Sequence, residues 1–208
     1  MRLTIIDRNA DKIDAVCSLF DEFEPVNTMI ADINLATGYD CLITPGNSFG
    51  IMDGGFDLVV TQLFGTDIEH RVRGIIDADC HGELNVGDAI LVNPAKGHPQ
   101  LCYAPTMRVP MQITRTDNVY RAMRAALLVI EHHTTIDALS GSANPIKHII
   151  TPLLGAGAGN MPPRDAGRQM LLAWESMKPG RAMPQTLAEA DAIQARIGLG
   201  LGGDPEHF

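Results

Sequence analysis

An α/β fold is what this sequence predicts, with helices layered on a mostly parallel or mixed sheet. Three features carry that reading. Strand-type and helix-type apolar patterns alternate along the chain. Residues 147–154 are apolar almost without a break, as in strands covered on both faces. Two glycine-rich stretches each join a strand candidate to a helix candidate.

Residues 3–7 read as a short strand. Residues 10–23 read as a helix, with Ile13, Val16, Cys17 and Phe20 on one face. Strands follow at 26–31 and at 40–44, the latter bounded by Gly38 and by Pro45-Gly46. Residues 58–79 are helical with a break near Gly65, and Ile68, Val72, Ile75 and Ile76 share one side. Two strands, 88–93 and 100–105, are joined by a loop containing Gly97 and Pro99. The clearest helix is 118–132, capped by Thr116 or Asp117, with Val119, Met123, Ala126, Leu127 and Ile130 as its stripe. Residues 140–145 are a loop by composition, 147–154 the buried strand, and 162–177 a helix opened by prolines. A linker at 178–184 and a modest helix at 185–197 come next, and the glycine-rich 198–208 reads as a mobile tail. The expected organisation is one domain over 1–177 with an appendage at 178–208.

The chain has 208 residues, 45% of them apolar and 20% charged, which excludes a disordered or fibrous protein. No apolar run approaches the ~18 residues of a membrane span, and no apolar signal segment follows a basic start. The expectation is a cytoplasmic protein with no membrane partner. A net charge of −9, with scattered Lys and Arg, disfavours nucleic acid as a partner. An anionic ligand would have to be held chiefly by backbone groups.

Cys17, Cys41, Cys80 and Cys102 form no C-x-x-C pair. Asp79-Cys80-His81 with Glu83 has the side-chain types of a metal site but lacks a second matching pair, so it reads as a polar helix end and turn, and His132-His133 reads as the end of the long helix, where the dipole favours a cation. No metal or other cofactor is implied.

The first glycine-rich stretch runs Thr44-Pro45-Gly46-Asn47-Ser48-Phe49-Gly50-Ile51-Met52-Asp53-Gly54-Gly55-Phe56-Asp57. The second runs Thr151-Pro152-Leu153-Leu154-Gly155-Ala156-Gly157-Ala158-Gly159-Asn160-Met161-Pro162. Each follows the carboxyl end of a strand, where open α/β sheets bind ligands. Glycine lets successive N–H groups face one concavity, and the next helix adds its positive end. A phosphate suits such a place. Neither stretch is a P-loop, and Gly155-Ala156-Gly157-Ala158-Gly159 only partly echoes G-x-G-x-x-G. Either stretch also reads as a plain strand-to-helix turn.

Ala31-Asp32-Ile33-Asn34, then Asp40-Cys41-Leu42-Ile43-Thr44-Pro45-Gly46-Asn47-Ser48, then Gly54-Gly55-Phe56-Asp57, together resemble the macro domain family. Asn47 and Asp57 stand ten positions apart, the family's usual separation, and the second stretch resembles its phosphate loop. The resemblance spans about residues 1–177. It implies a three-layer α/β/α fold and a cleft for ADP-ribose or an ADP-ribosylated substrate. It also implies roles. Asp32 would accept from the adenine amino group, with Ile33 beside it. Asn47 would hold the distal ribose hydroxyls, with Ser48 next to it. Gly54, Gly55 and Phe56 would wrap that ribose and its phosphate. Gly155, Ala156, Gly157, Ala158, Gly159 and Asn160 would donate amides to the diphosphate. Asp57 would orient or activate water or a substrate hydroxyl. By residue type alone, Asp32 equally suits a turn, Asn47 a loop, and Asp57 a helix N-cap.

The chain departs from the family pattern in several places. Ala31 and Asn34 replace glycine and threonine, and Thr44-Pro45-Gly46 replaces Asn-Ala-Ala. Asp53 enters the glycine run, Thr61 stands where hydrolytic members often carry histidine, and Gly159 where an aromatic often packs. The expected last strand is missing after residue 177. Three functions are therefore weighed: hydrolysis of an ADP-ribose conjugate, ADP-ribose binding without catalysis, and a structural role without a ligand. Arg108 reads as a partner for a phosphate or a carboxylate, or as a surface residue.

Overall fold

The computed structural model describes residues 1–21, 23–95, 97–140 and 145–198. The loop expected at 140–145 and the tail expected at 198–208 fall largely outside these residues. Six strands form one sheet: β1 (Arg2–Asp7), β2 (Val26–Ile30), β3 (Cys41–Asn47), β4 (Ile90–Val92), β5 (Gln100–Met107) and β6 (His148–Pro152). Their order is β2-β1-β6-β3-β5-β4. Every pairing is parallel except the antiparallel edge pair β4–β5. The helices are α1 (Ala10–Phe20), α2 (Gly55–Phe64), α3 (Asp67–Cys80), α4 (Asn118–Ser140), α5 (Pro163–Ser176) and α6 (Leu187–Ile197).

Each strand of the sheet interior is apolar on both faces because helices cover both. Ile5, Ile43, Cys102 and Ile149 pack with α1, α4 and α5 on one side. Ile6, Leu42, Tyr103 and Ile150 pack with α2 and α3 on the other. That is the three-layer α/β/α arrangement. No described helix is long and apolar enough to cross a membrane.

Differences from the sequence expectation have local causes. The break in the 58–79 helix falls at Gly65, which ends α2 at φ 85°. α2 itself starts earlier, directly after Gly54. α4 runs on to Ser140, so His132 and His133 lie within it rather than at its end. Nothing between His132 and Gly141 breaks a helix, and the Thr135 hydroxyl donates back to the Glu131 carbonyl at 2.9 Å. Among the described residues, no strand follows α5. An interior place beside β6 is held instead by β1, the first strand of the chain.

β3 continues past Pro45-Gly46, which the sequence marks as its boundary. The register with β5 slips between Gly46 and Asn47, and Tyr103 fills the gap. The Asn47 N–H donates to the Tyr103 hydroxyl at 3.0 Å, and that hydroxyl donates to the Asn47 carbonyl at 2.9 Å. Tyr103 is fully buried, and a Cβ at position 46 would collide with its ring and hydroxyl. Gly46 is therefore required by close approach. On the opposite layer, fully buried Gln169 of α5 accepts from the Tyr120 N–H at 3.1 Å and donates to the Thr116 carbonyl at 2.8 Å. It ties α5 to the start of α4.

Tyr103→Phe leaves the Asn47 N–H and carbonyl without their buried partner. We expect a loss of about 1–3 kcal/mol in denaturant unfolding, and a larger loss for Gly46→Ala, which must displace the ring.

Candidate functional site

The parallel strands bring their carboxyl ends to one edge of the sheet. There, a cavity of about 360 Å³ is lined by residues of both glycine loops, among them Asn47, Asp53, Gly54, Gly55, Phe56 and Asp57 from the first and Gly155, Gly157, Ala158 and Gly159 from the second. Asn47 and Ala158 thus face one space. A second hollow of about 310 Å³ holds Asp32 and Ile33 with Arg8 and Val59. Both hollows share Asp7, Lys12, Gly55, Phe56 and Pro152, so they form one extended cleft. A larger groove of about 800 Å³, bordered by α4 and the 178–184 segment, contains none of the predicted residues.

Loop two is shaped by glycine. Gly155 has φ 75°, and a Cβ there would press on Val119 and Ile113. Its carbonyl accepts from Met161 at 3.0 Å, and the Gly159 carbonyl accepts from Ile113 at 2.8 Å. The first bond turns the loop back on itself, and the second ties it to the segment before α4. The N–H groups of Gly157, Ala158 and Gly159 find no acceptor among the described residues. The same holds for Gly54, Gly55, Phe56 and Asp57 at the start of α2, where a helix leaves its first donors unpaired. Two sets of unpaired amides therefore border one cavity.

Ser48, Ala156 and Asn160 are not among the described lining residues. Ser48 is buried; its N–H donates to the Arg108 carbonyl and its carbonyl accepts from Leu84. Ala156 packs against the core. Asn160 is exposed at φ 51°.

The side chain of Asn47 is largely spent on its own loop. Its Oδ1 accepts from Phe49 at 3.1 Å and Ile51 at 3.3 Å, and its Nδ2 donates to the Ile51 carbonyl at 2.7 Å. One amide hydrogen is left for a ligand. Asp32 is similarly engaged: Oδ1 accepts from the Asn34 backbone at 3.0 Å and side chain at 2.9 Å, and Oδ2 lies 3.5 Å from Arg8. It caps the short turn Ile33–Leu35 while bordering the second hollow.

Asp57 is different. It is buried in the first turn of α2, and its Oδ1 has no hydrogen-bond partner. Burial, then the charges of Asp53 and Glu69, push its pKa from 3.8 up to about 8, outweighing the pull of the helix N-terminus. At neutral pH it is a protonated acid facing the cavity.

Arg108 meets a carboxylate, with Nε 2.7 Å and Nη2 3.0 Å from the two oxygens of Glu83. Its guanidinium also covers the Phe49 ring at 5.1 Å, which braces loop one from outside. Asp7 and Lys12 escaped the sequence reading. Their signal was Asp7's place at the end of the first strand, since a parallel sheet puts every such end on one edge. Among the described residues, no three His, Cys, Asp or Glu side chains converge as a metal site requires.

The fold is α/β, one mostly parallel sheet between two helix layers with a two-loop cleft at its carboxyl edge. The chain belongs to the Macro domain family, whose pattern it matches over residues 43–170. That match starts within β3, so β1, α1 and β2 lie outside it. An uncharacterized protein of Aquifex aeolicus (strain VF5) is 29% identical over 133 residues, which is 64% of this chain and 70% of that protein. Among solved structures, a point mutant of the Oceanobacillus iheyensis macrodomain with ADPR aligns at TM-score 0.58 and 13% identity, over 80% of this chain and 88% of its own. The macrodomain of Mycobacterium tuberculosis DarG aligns at TM-score 0.51 and 14% identity, over 71% and 88%. At such identities these likenesses establish the fold.

The raised pKa of Asp57 carries a stability consequence. The folded state holds a proton that the unfolded state releases near pH 3.8, so the proton's contribution is full below that pH and is lost as pH rises to about 8. Asp57→Asn, which mimics the protonated form, should melt with the wild type near pH 4. It should melt several degrees higher above pH 8, as followed by thermal denaturation across pH.

Proposed function

We propose that this protein binds ADP-ribose or an ADP-ribosylated substrate along the cleft and hydrolyses ADP-ribose conjugates at the distal ribose. The observation that carries this reading is the joining of two unpaired amide arrays around one cavity that also holds the unpartnered acid Asp57. A diphosphate is the ligand such amides suit, and backbone donors suit a chain of net charge −9. The adenosine end would lie in the second hollow, between Ile33 and the Arg8–Asp32 pair. Family membership and the fold likeness to a macrodomain with ADPR support the same ligand.

Asp57 would act at the far end of the ligand. Once ionised, its carboxylate can take a proton from a water that attacks C1″ of the distal ribose as the bond from that carbon to the conjugated group breaks, and can pass the proton on to the departing group, while the amides hold the diphosphate in place. A pKa near working pH suits a proton-transfer group.

A second reading, ADP-ribose binding without catalysis, is favoured by two side chains. Asn47 has one free hydrogen left for ribose hydroxyls, and the Thr61 hydroxyl donates to the Leu58 carbonyl of its own helix at 2.8 Å. Neither then assists Asp57.

Calorimetry with ADP-ribose tests the common core of both readings: heat of binding is expected for wild type. Gly157→Glu should abolish it while leaving the melting temperature in place, because a Cβ at 157 meets open space. Release of ADP-ribose from an ADP-ribosylated protein separates the two. For the enzyme, the rate should rise with pH through about 8, and Asp57→Ala should bind without releasing. A wild type that binds and never releases establishes the second reading.

A further inference from the structure

The proposed ligand carries two negative charges, and the cleft that would take it is acidic. Asp7, Asp53 and Asp57 all line the main cavity, and Lys12 is the one cation among its described lining residues. The second hollow adds Arg8 and Asp32, which face each other at 3.5 Å, with the Arg8 side chain 74% exposed. Lys12 borders both hollows at the point where they join. A ligand that puts its base in one hollow and its distal ribose in the other must pass its linking diphosphate over that point.

Local structure delivers Lys12 there. β1 ends at Asp7 on the carboxyl edge of the sheet, and α1 begins three residues later. Asn9 caps α1 by accepting from the Lys12 N–H at 3.3 Å, so Lys12 sits in the first turn. Its Nζ lies 3.4 Å from Asp7 Oδ2, with the side chains 27% and 19% exposed. Asp7 does not depend on that contact, because its Oδ1 accepts from the Asn9 N–H at 2.9 Å. The pair is long and partly open to water, so exchanging its partner costs little. A lysine suits such an exchange: its ammonium has three donors on a flexible stem and can keep one on Asp7.

We propose that Lys12 is the charged contact for the diphosphate, trading part of its pairing with Asp7 for a phosphate oxygen. This rests on the ADP-ribose reading. It adds a side-chain cation to a site otherwise made of amides. That cation comes from the β1–α1 unit, outside the residues the family pattern covers.

The test is calorimetry of ADP-ribose and of adenosine against wild type, Lys12→Met and Asp7→Asn, at low and high salt, with melting temperatures as a folding control. Lys12→Met should bind ADP-ribose about tenfold more weakly or worse, the loss of a hydrogen bond to a charged group. Its binding should also depend less on salt, and adenosine affinity should be unchanged. Asp7→Asn, which breaks the same ion pair, should bind ADP-ribose as well as wild type or better. If Lys12→Met binds ADP-ribose like wild type, the Lys12 assignment is overturned and the ligand reading survives. Equal losses in both variants would also overturn it, because the ion pair would then matter only for shape. A wild type with no affinity for ADP-ribose overturns both.

Discussion

The parallel pairing of β3 with β6, Cys41 opposite Ile149 and Leu42 opposite Ile150, unites two segments far apart in the chain. Because the two strands run the same way, their carboxyl ends and the loops that follow emerge at the same edge. An antiparallel pairing would have sent the two glycine loops to opposite ends of the sheet. The β1–β6 pairing extends the same logic to Asp7 and, through α1, to Lys12. The cleft is a consequence of strand direction before any side chain is considered.

That edge would be soft if β3 simply ended at its bulge. Tyr103 prevents this by replacing a lost ladder partner with its hydroxyl, and Gly46 lets it approach. From the fixed Asn47 backbone, the Asn47 side chain then pins residues 49–51. Outside, the Arg108–Glu83 pair and the Phe49 ring brace the same loop. Loop one is held from three directions, which leaves its last residues and the start of α2 as the surface offered to a ligand.

Charge in the cleft is managed by burial. Three acids line the cavity, yet burial and the neighbouring Asp53 and Glu69 keep Asp57 protonated at neutral pH. Burial pushes the Tyr103 phenol upward, and so does Asp57 at the alkaline pH where it is ionised, so Tyr103 stays a neutral hydrogen-bonding group. The cavity therefore meets an anion with less repulsion than its composition suggests. The same arrangement places a titratable group in the range where proton transfer is useful.

Much of this protein was legible in its sequence. Apolar periodicity located the strands and helices, and the unbroken 147–154 run foretold a sheet covered on both faces. The order Asp32, Asn47, Asp57 with two glycine loops pointed to the family. These are local signals, carried by neighbours along the chain. Other features belong to packing between distant segments. The interior place of β1, the use of the Asn47 amide within its own loop, the burial that reshapes Asp57 and the arrival of Lys12 at the cleft each depend on which strand lies beside which. Spacing in a sequence fixes what a segment can become; only the closed sheet decides which side chains meet, which are dry, and which acids keep their protons.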